Sequence, residues 1–201
     1  MWFESNTVAR GKAWETVFAE RYARLGLNQY CAGTIGISNA CFYKVFYFLE
    51  SGIGELSGQN DPGYLSHLRT ALEAHKDAPF KMCSWHKNQQ QMQLCTKTDS
   101  IGWQAYEICR EYGAIINNAH EHSYARTHTM NSFASNSELR VDNFANDVTL
   151  DYGKTFLFVN GLSGSSIRNE CDGYGSKEWW ASWAAGNGNK GVFGNTGQGS
   201  S

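Results

Sequence analysis

Tyr106-Glu107-Ile108-Cys109-Arg110-Glu111-Tyr112-Gly113-Ala114-Ile115-Ile116-Asn117-Asn118-Ala119-His120-Glu121-His122 is the stretch whose reading decides the fold. Its first seven residues read as a helix reaching back to about residue 102. Gly113 ends that helix, and the apolar triplet Ala114-Ile115-Ile116 reads as a buried parallel strand. The His-x-His therefore falls where a strand runs out. In open α/β sheets the loops leaving the carboxyl ends of the strands form a crevice in which ligands and metals collect, and neutral imidazole is the commonest metal ligand among side chains. In extended chain the period of two turns both rings to the same side, within reach of one metal or a pair. The alternative is one buried, hydrogen-bonded imidazole and one surface imidazole.

Working outward, Phe80-Lys81-Met82-Cys83-Ser84-Trp85 is a short, mostly apolar run after the helix-breaking Ala78-Pro79, with His86 directly behind it and the polar Lys87-Asn88-Gln89-Gln90-Gln91 beyond. Strand, crossover helix and strand make a βαβ unit whose strands are parallel neighbours. Their carboxyl ends face the same way, so His86, His120 and His122 are expected to converge. Upstream, Asp61 is placed to cap a helix and Pro62 to begin it, running to about residue 76. Phe42-Tyr43-Lys44-Val45-Phe46-Tyr47-Phe48-Leu49 reads as one aromatic strand before it, giving a second βαβ step. An opening helix over about residues 11–25 carries Trp14, Val17, Phe18 and Tyr22 at three-to-four spacing, a stripe expected to pack in the core. Thr155-Phe156-Leu157-Phe158-Val159-Asn160 reads as another buried strand, and Trp179, Trp180 and Trp183 are expected to cover a core edge. Residues 186–201, dominated by Gly, Asn and Ser, read as loop or frayed tail.

The 201 residues suffice for one ordinary core, without repeats. With 17 basic against 19 acidic residues and no Lys/Arg cluster, the chain lacks an electrostatic footprint for nucleic acid. No apolar run approaches the roughly 20 residues that span a bilayer, and the first residues have no apolar core of a signal peptide. Cys83 and Cys109 fall within a strand and a helix, as small buried hydrophobes do. Cys31, Cys41, Cys95 and Cys171 lie in or near loops and could pair in an oxidising compartment, with connectivity open; no Cys-x-x-Cys supports a zinc site. His67 and His75 sit within a helix as surface or packing residues, and His128, in the loop after the His-x-His, reads as a solvated loop histidine, with a contact to the metal ligands as the alternative.

Ser84-Trp85-His86-Lys87-Asn88-Gln89, followed by Gly113-Ala114-Ile115-Ile116 and His120-Glu121-His122-Ser123-Tyr124-Ala125-Arg126-Thr127, resembles the carboxyl-terminal half of the calcineurin-like metallophosphoesterases, the superfamily that includes the purple acid phosphatases. That family carries five metal-site blocks in order: Asp-x-His, Gly-Asp, Gly-Asn-His-Asp/Glu, a lone His after a strand, and Gly-His-x-His. The last two are visible here and the first three are absent. Gly161-Leu162-Ser163-Gly164-Ser165-Ser166-Ile167-Arg168 is similar to the family's Gly-rich loop, although turns are the default role of such glycines. Lys12-Ala13-Trp14-Glu15-Thr16-Val17-Phe18-Ala19-Glu20-Arg21-Tyr22 resembles the segment just past the third block. The expectation is a chain beginning there, with the other ligands outside it and its compartment, extracellular included, left open. Ala119 departs from the family's Gly, which is harmless where φ is negative.

The resemblance implies an α/β fold: part of a metallophosphoesterase β-sandwich flanked by helices, with parallel βαβ units, incomplete at the amino terminus. Residues 1–185 would be the carboxyl-terminal portion of the catalytic domain and 186–201 a tail. It implies hydrolysis of phosphate esters, of small molecules or nucleotides, through two metal ions drawn from Fe, Zn or Mn. His86 and His120 would ligate the second metal and His122 the first. Tyr124 and Arg126 are candidates for contacts to substrate or to the ligands, with Arg126 equally suited to tie the loop through carbonyl hydrogen bonds. Three imidazoles bring no negative charge, so the chain by itself is expected to be inactive. The alternative from another class is a non-catalytic binding or structural domain of the same fold that has lost the first half of the site.

Overall fold

The computed structural model describes residues 8–145, 147–162, 166–186 and 190–192. Trp14's side chain, residues 163–165 of the Gly-rich loop and most of the expected tail lie outside the described residues. In chain order the elements are α1 (Val8–Arg24), β1 (Cys31–Thr34), β2 (Ser38–Tyr43), β3 (Phe46–Ser51), α2 (Pro62–Ala74), β4 (Phe80–Ser84), α3 (Gln104–Glu111), β5 (Ile115–Asn118), β6 (Tyr124–Thr127), β7 (Thr129–Phe133), β8 (Leu139–Asn143), β9 (Leu157–Asn160), β10 (Trp180–Ala184) and β11 (Lys190–Val192). Nine strands form one mixed sheet in the order β1-β2-β3-β4-β5-β9-β6-β10-β11, and β7 and β8 form a separate pair. β3, β4, β5 and β9 run parallel, while the other pairings are antiparallel. Both expected crossovers are present, α2 between β3 and β4 and α3 between β4 and β5.

Alternation along the strands sends one set of side chains under the helices. Leu49, Cys83, Ile116, Leu157, Val159 and Ala125 are fully buried, facing Leu65, Leu68 and Leu72 of α2 and Ala105, Tyr106, Ile108 and Cys109 of α3. Burying one such Leu or Ile stabilises by about 1.5–3 kcal/mol. The opposite set differs. Phe46 stacks on Phe48 and Phe80, at 4.5 and 5.6 Å between centroids, and Phe156 on Phe158 at 6.2 Å, yet Phe48 and Phe80 remain 42% and 45% exposed. One face of the sheet is thus closed by helices, while the other carries an aromatic strip still open to water.

Several sequence expectations need correction. Phe42–Leu49 is not one strand: the chain folds back at Lys44 and Val45, with Tyr43 paired to Phe46 and Lys44 at φ 56°. Two-residue hairpin turns want positive φ, normally supplied by Gly or Asn; here cross-strand pairing of aromatics enforces the turn on a lysine. Of the described side chains in the α1 stripe, Val17 is 50% exposed and Phe18 and Tyr22 are half-buried, the Tyr22 hydroxyl accepting from Asn39 Nδ2 at 3.3 Å. Lys190–Val192, assigned to the tail, pairs with β10 as an edge strand. The tryptophans lie as expected: Trp180 is buried, and Trp179 and Trp183 pack against the core.

The open cysteine question has a definite answer. Cys31 and Cys41 are bonded at paired positions of β1 and β2, and Cys95 is bonded to Cys171. Cys83 and Cys109 are buried free thiols. Among the described residues no helix is long and apolar enough to cross a membrane.

Candidate metal centre

The parallel pairing of β4 and β5 continues past the strand ends. Trp85 N donates to Asn117 O at 3.2 Å and Ala119 N to His86 O at 3.1 Å, which sets His86 level with the turn that follows β5. As a result His120 Nδ1 lies 3.1 Å from His86 Nε2, with ring centroids 4.9 Å apart and the planes at 69°. The convergence expected from two strand ends therefore holds for this pair.

His122 takes another course. His120 has φ 52°, and Ser123 N donates to Glu121 O at 2.8 Å, so the His-Glu-His segment is a tight turn rather than extended chain. Side chains two residues apart face one side only in extended backbone, which this segment is not. His122 Nδ1 stands 3.0 Å from the Ser166 carbonyl, and its own carbonyl accepts from Arg168 N at 2.8 Å. Among the described residues, no group of three His, Cys, Asp or Glu side chains is placed to hold a metal ion.

The turn explains two glycine questions. Positive φ falls on His120 and not on Ala119, so the Ala119 methyl meets no backbone penalty. Gly161, directly after β9, approaches so closely that an added Cβ would stand 2.0 Å from the Glu121 carbonyl oxygen. This glycine has a structural role, letting the segment after β9 pack against the backbone of the His-Glu-His turn.

Burial pushes the His120 imidazole down to about 3, helped by the positive charges of Lys97, His86, Lys87 and Arg168. A neutral ring is the form that ligates a metal. Glu121 is fully buried and its carboxyl is raised by that burial, offset by Lys97, Arg168 and His122. Lys97 Nζ lies 3.8 Å from Glu121 Oε2 and donates to the His120 carbonyl. Nothing in the spacing of residues 97 and 120 announced Lys97.

A separation of 3.1 Å between two ring nitrogens suits a hydrogen bond. It equally suits two donors on one cation with metal–nitrogen bonds of about 2.0–2.1 Å, whose nitrogens stand roughly 2.9–3.4 Å apart. The donor chemistry of His86 and His120 thus fits two positions on one metal ion. The negative charge such an ion needs is not supplied here, since Glu121 faces Lys97.

The other candidates divide. Tyr124 and Arg126 share a face of β6, opposite Asn160 and Phe158 of β9. Tyr124 is therefore at the histidine end, whereas Arg126 is two residues further into the sheet, its Nη1 3.4 Å from the Thr127 carbonyl. His128 corrects the solvated reading: it is 3% exposed, its N–H donates to Trp179 O at 2.9 Å, and its ring meets Phe144 edge-on at 5.2 Å, because β6 carries it into the core. His75 is a packing residue against Phe42 and Tyr47, and half-buried His67 is shifted down by burial.

No protein-family model and no curated protein matches the chain. Among solved structures it is similar to the purple acid phosphatase PPD1 from yellow lupin (Lupinus luteus) seeds, with a TM-score of 0.50 and 12% identity over 78% of this chain. The chain spans 28% of that protein's length. At this identity the likeness is one of fold alone: a mixed α/β sheet.

Proposed function

We propose that this chain is part of a metal-dependent phosphoesterase, carrying the ligands of a dinuclear centre that come from its later strands. The observation that carries the proposal is the His86–His120 pair, two ring nitrogens 3.1 Å apart at the carboxyl ends of adjacent parallel strands. His86 and His120 are the residues that would hold one ion, and His122 is the candidate for the other, the ions being Fe, Zn or Mn. When bound, such ions supply an activated water and charge stabilisation at the phosphoryl oxygens.

The chain's own groups have separate work. His86 and His120 provide neutral donors, and the positive field of Lys97, Lys87 and Arg168 favours an anionic phosphate ester or nucleotide over a cationic substrate. Tyr124 stands at the substrate end. The aromatic strip on the open face of the sheet supports the finer expectation of a sandwich, because an apolar sheet face needs a second layer. Further chain would bring both that layer and the missing carboxylates. On this reading residues 1–185 belong to the catalytic domain, extended by the β11 strand. Two disulfides favour an oxidising, extracellular setting.

A second reading, a non-catalytic domain of the same fold, is favoured by His122's contact with the Ser166 carbonyl and by the cations around His120. Calorimetric titration of the 201-residue chain with Zn2+ separates the two. The phosphoesterase reading expects weak binding of one ion, lost in His86→Ala and in His120→Ala, without turnover of an aryl phosphate. Binding that survives both substitutions, or no binding at all, favours the non-catalytic domain. Metal-dependent turnover by this chain alone would show that the missing carboxylates were wrongly placed elsewhere.

A further inference from the structure

We infer that Lys97 is the positioning residue of the histidine pair: its ammonium, bonded to the His120 carbonyl, holds His120 in the left-handed conformation that sets its ring against His86. The inference rests on the metal-binding reading for its consequence, though not for its geometry. His120 at φ 52° occupies a backbone region that residues other than glycine visit rarely, and such conformations persist where the surroundings over-determine them. On one side, the Ala119 N–H is fixed to the His86 carbonyl at 3.1 Å. On the other, Ser123 N–H is fixed to Glu121 O, and Gly161 N–H to Ser123 O at 3.1 Å. His120's own carbonyl lies between these anchors, and Lys97 Nζ is its donor.

Lys97 is itself held. Its side chain is 14% exposed, its Nζ is 3.8 Å from the fully buried Glu121 carboxylate, and its carbonyl accepts from Gln93 Nε2 at 2.7 Å. Two residues before it, Cys95 is bonded to Cys171, and Cys171 N–H donates to Leu94 O at 3.0 Å. Three residues before Cys171, Arg168 N–H holds the His122 carbonyl. The two segments that grip the His-Glu-His turn are therefore joined to each other by one disulfide. The lysine's charge opposes a cation on His120, whereas its placement of the ring favours one. The two effects have opposite signs, which makes them separable.

The test is calorimetric Zn2+ binding by the full chain with Lys97→Met and Lys97→Arg, melting temperatures being checked alongside. Lys97→Met should bind Zn2+ about 10–100-fold more weakly, the usual cost of losing a group that orients a metal ligand, and Lys97→Arg should restore most of the affinity. Equal or tighter binding by Lys97→Met overturns the proposal, since the lysine would then act through charge alone. If the unsubstituted chain takes up no Zn2+, the metal reading fails, and the positioning claim is read from the metal-free protein by NMR. Ring-to-ring contacts of His86 and His120 should be present in the unsubstituted chain and in Lys97→Arg and lost in Lys97→Met; their persistence in Lys97→Met overturns it. Should Lys97→Met fail to fold, the unsubstituted chain should show a slowly exchanging Lys97 ammonium with scalar coupling to the His120 carbonyl, and absence of that coupling overturns the proposal.

Discussion

His120 shows how one residue is governed by competing local demands. Its ring is held neutral by burial and by surrounding cations, its backbone is left-handed, and its carbonyl is spoken for by Lys97. The low titration point has a consequence for stability in the metal-free chain. Folded His120 titrates near 3 against 6.5 when solvated, so between those values the unfolded chain binds more protons. Stability therefore rises with pH across that window, is fully present above about 6.5, and is lost progressively towards 3. His128 and His67, also shifted down by burial, act in the same direction. Thermal melting followed from pH 7 to pH 4 should show the decline, and His120→Gln should flatten part of it. A melting curve whose pH dependence is unchanged by that substitution would remove His120 as a cause.

At the scale of elements, α2 illustrates a helix specified by its own sequence. Asp61 Oδ1 accepts from Gly63 N at 2.9 Å and Tyr64 N at 3.3 Å, satisfying amides that a helix start leaves unpaired, and Pro62 occupies a first-turn position where no amide is needed. Asp61→Ala should lower stability by about 1 kcal/mol, read from urea unfolding; a change below a few tenths would mean that packing of Leu65, Leu68 and Leu72 alone fixes this helix. The β2–β3 hairpin is the opposite case. Lys44 and Val45 carry no turn chemistry, and the reversal is held by the β2–β3 ladder, ending in Phe42 with Tyr47 and Tyr43 with Phe46, and by Phe80 N donating to the Val45 carbonyl at 3.3 Å.

For the whole molecule, the two disulfides differ in reach. Cys31–Cys41 spans a separation of 10 residues within one strand pair, and Cys95–Cys171 spans 76, tying the loop beyond His86 to the segment beyond β9. By the chain-entropy argument the long closure stabilises by about 4.5 kcal/mol and the short one by about 2.7 kcal/mol. Replacing Cys95 and Cys171 together by Ala should therefore cost more in a urea titration than replacing Cys31 and Cys41. It should also loosen the His-Glu-His turn, seen as faster amide exchange at Arg168, whose N–H bonds the His122 carbonyl. Equal stability losses and unchanged exchange would show that the long bridge does nothing for the site.

Much of this architecture is written in local sequence. The apolar triplet after Gly113, the run before His86 and the Asp61-Pro62 start are patterns of period, capping and chain reversal, and each acts over a few residues. Together they determined the two βαβ steps and, through the common direction of parallel strands, the meeting of His86 with His120. Tertiary structure alone decided the hairpin at Lys44, the burial of His128, the pairing of Cys95 with Cys171, the close approach of Gly161 to Glu121 and the grip of Lys97 on His120. It also decided that the His-Glu-His segment is a tight turn, with His122 Nδ1 against the Ser166 carbonyl. The physical reason is separation along the chain: propensity and periodicity are properties of neighbours, whereas a contact between residues 97 and 120, or 95 and 171, exists only once the core has fixed where distant backbones lie.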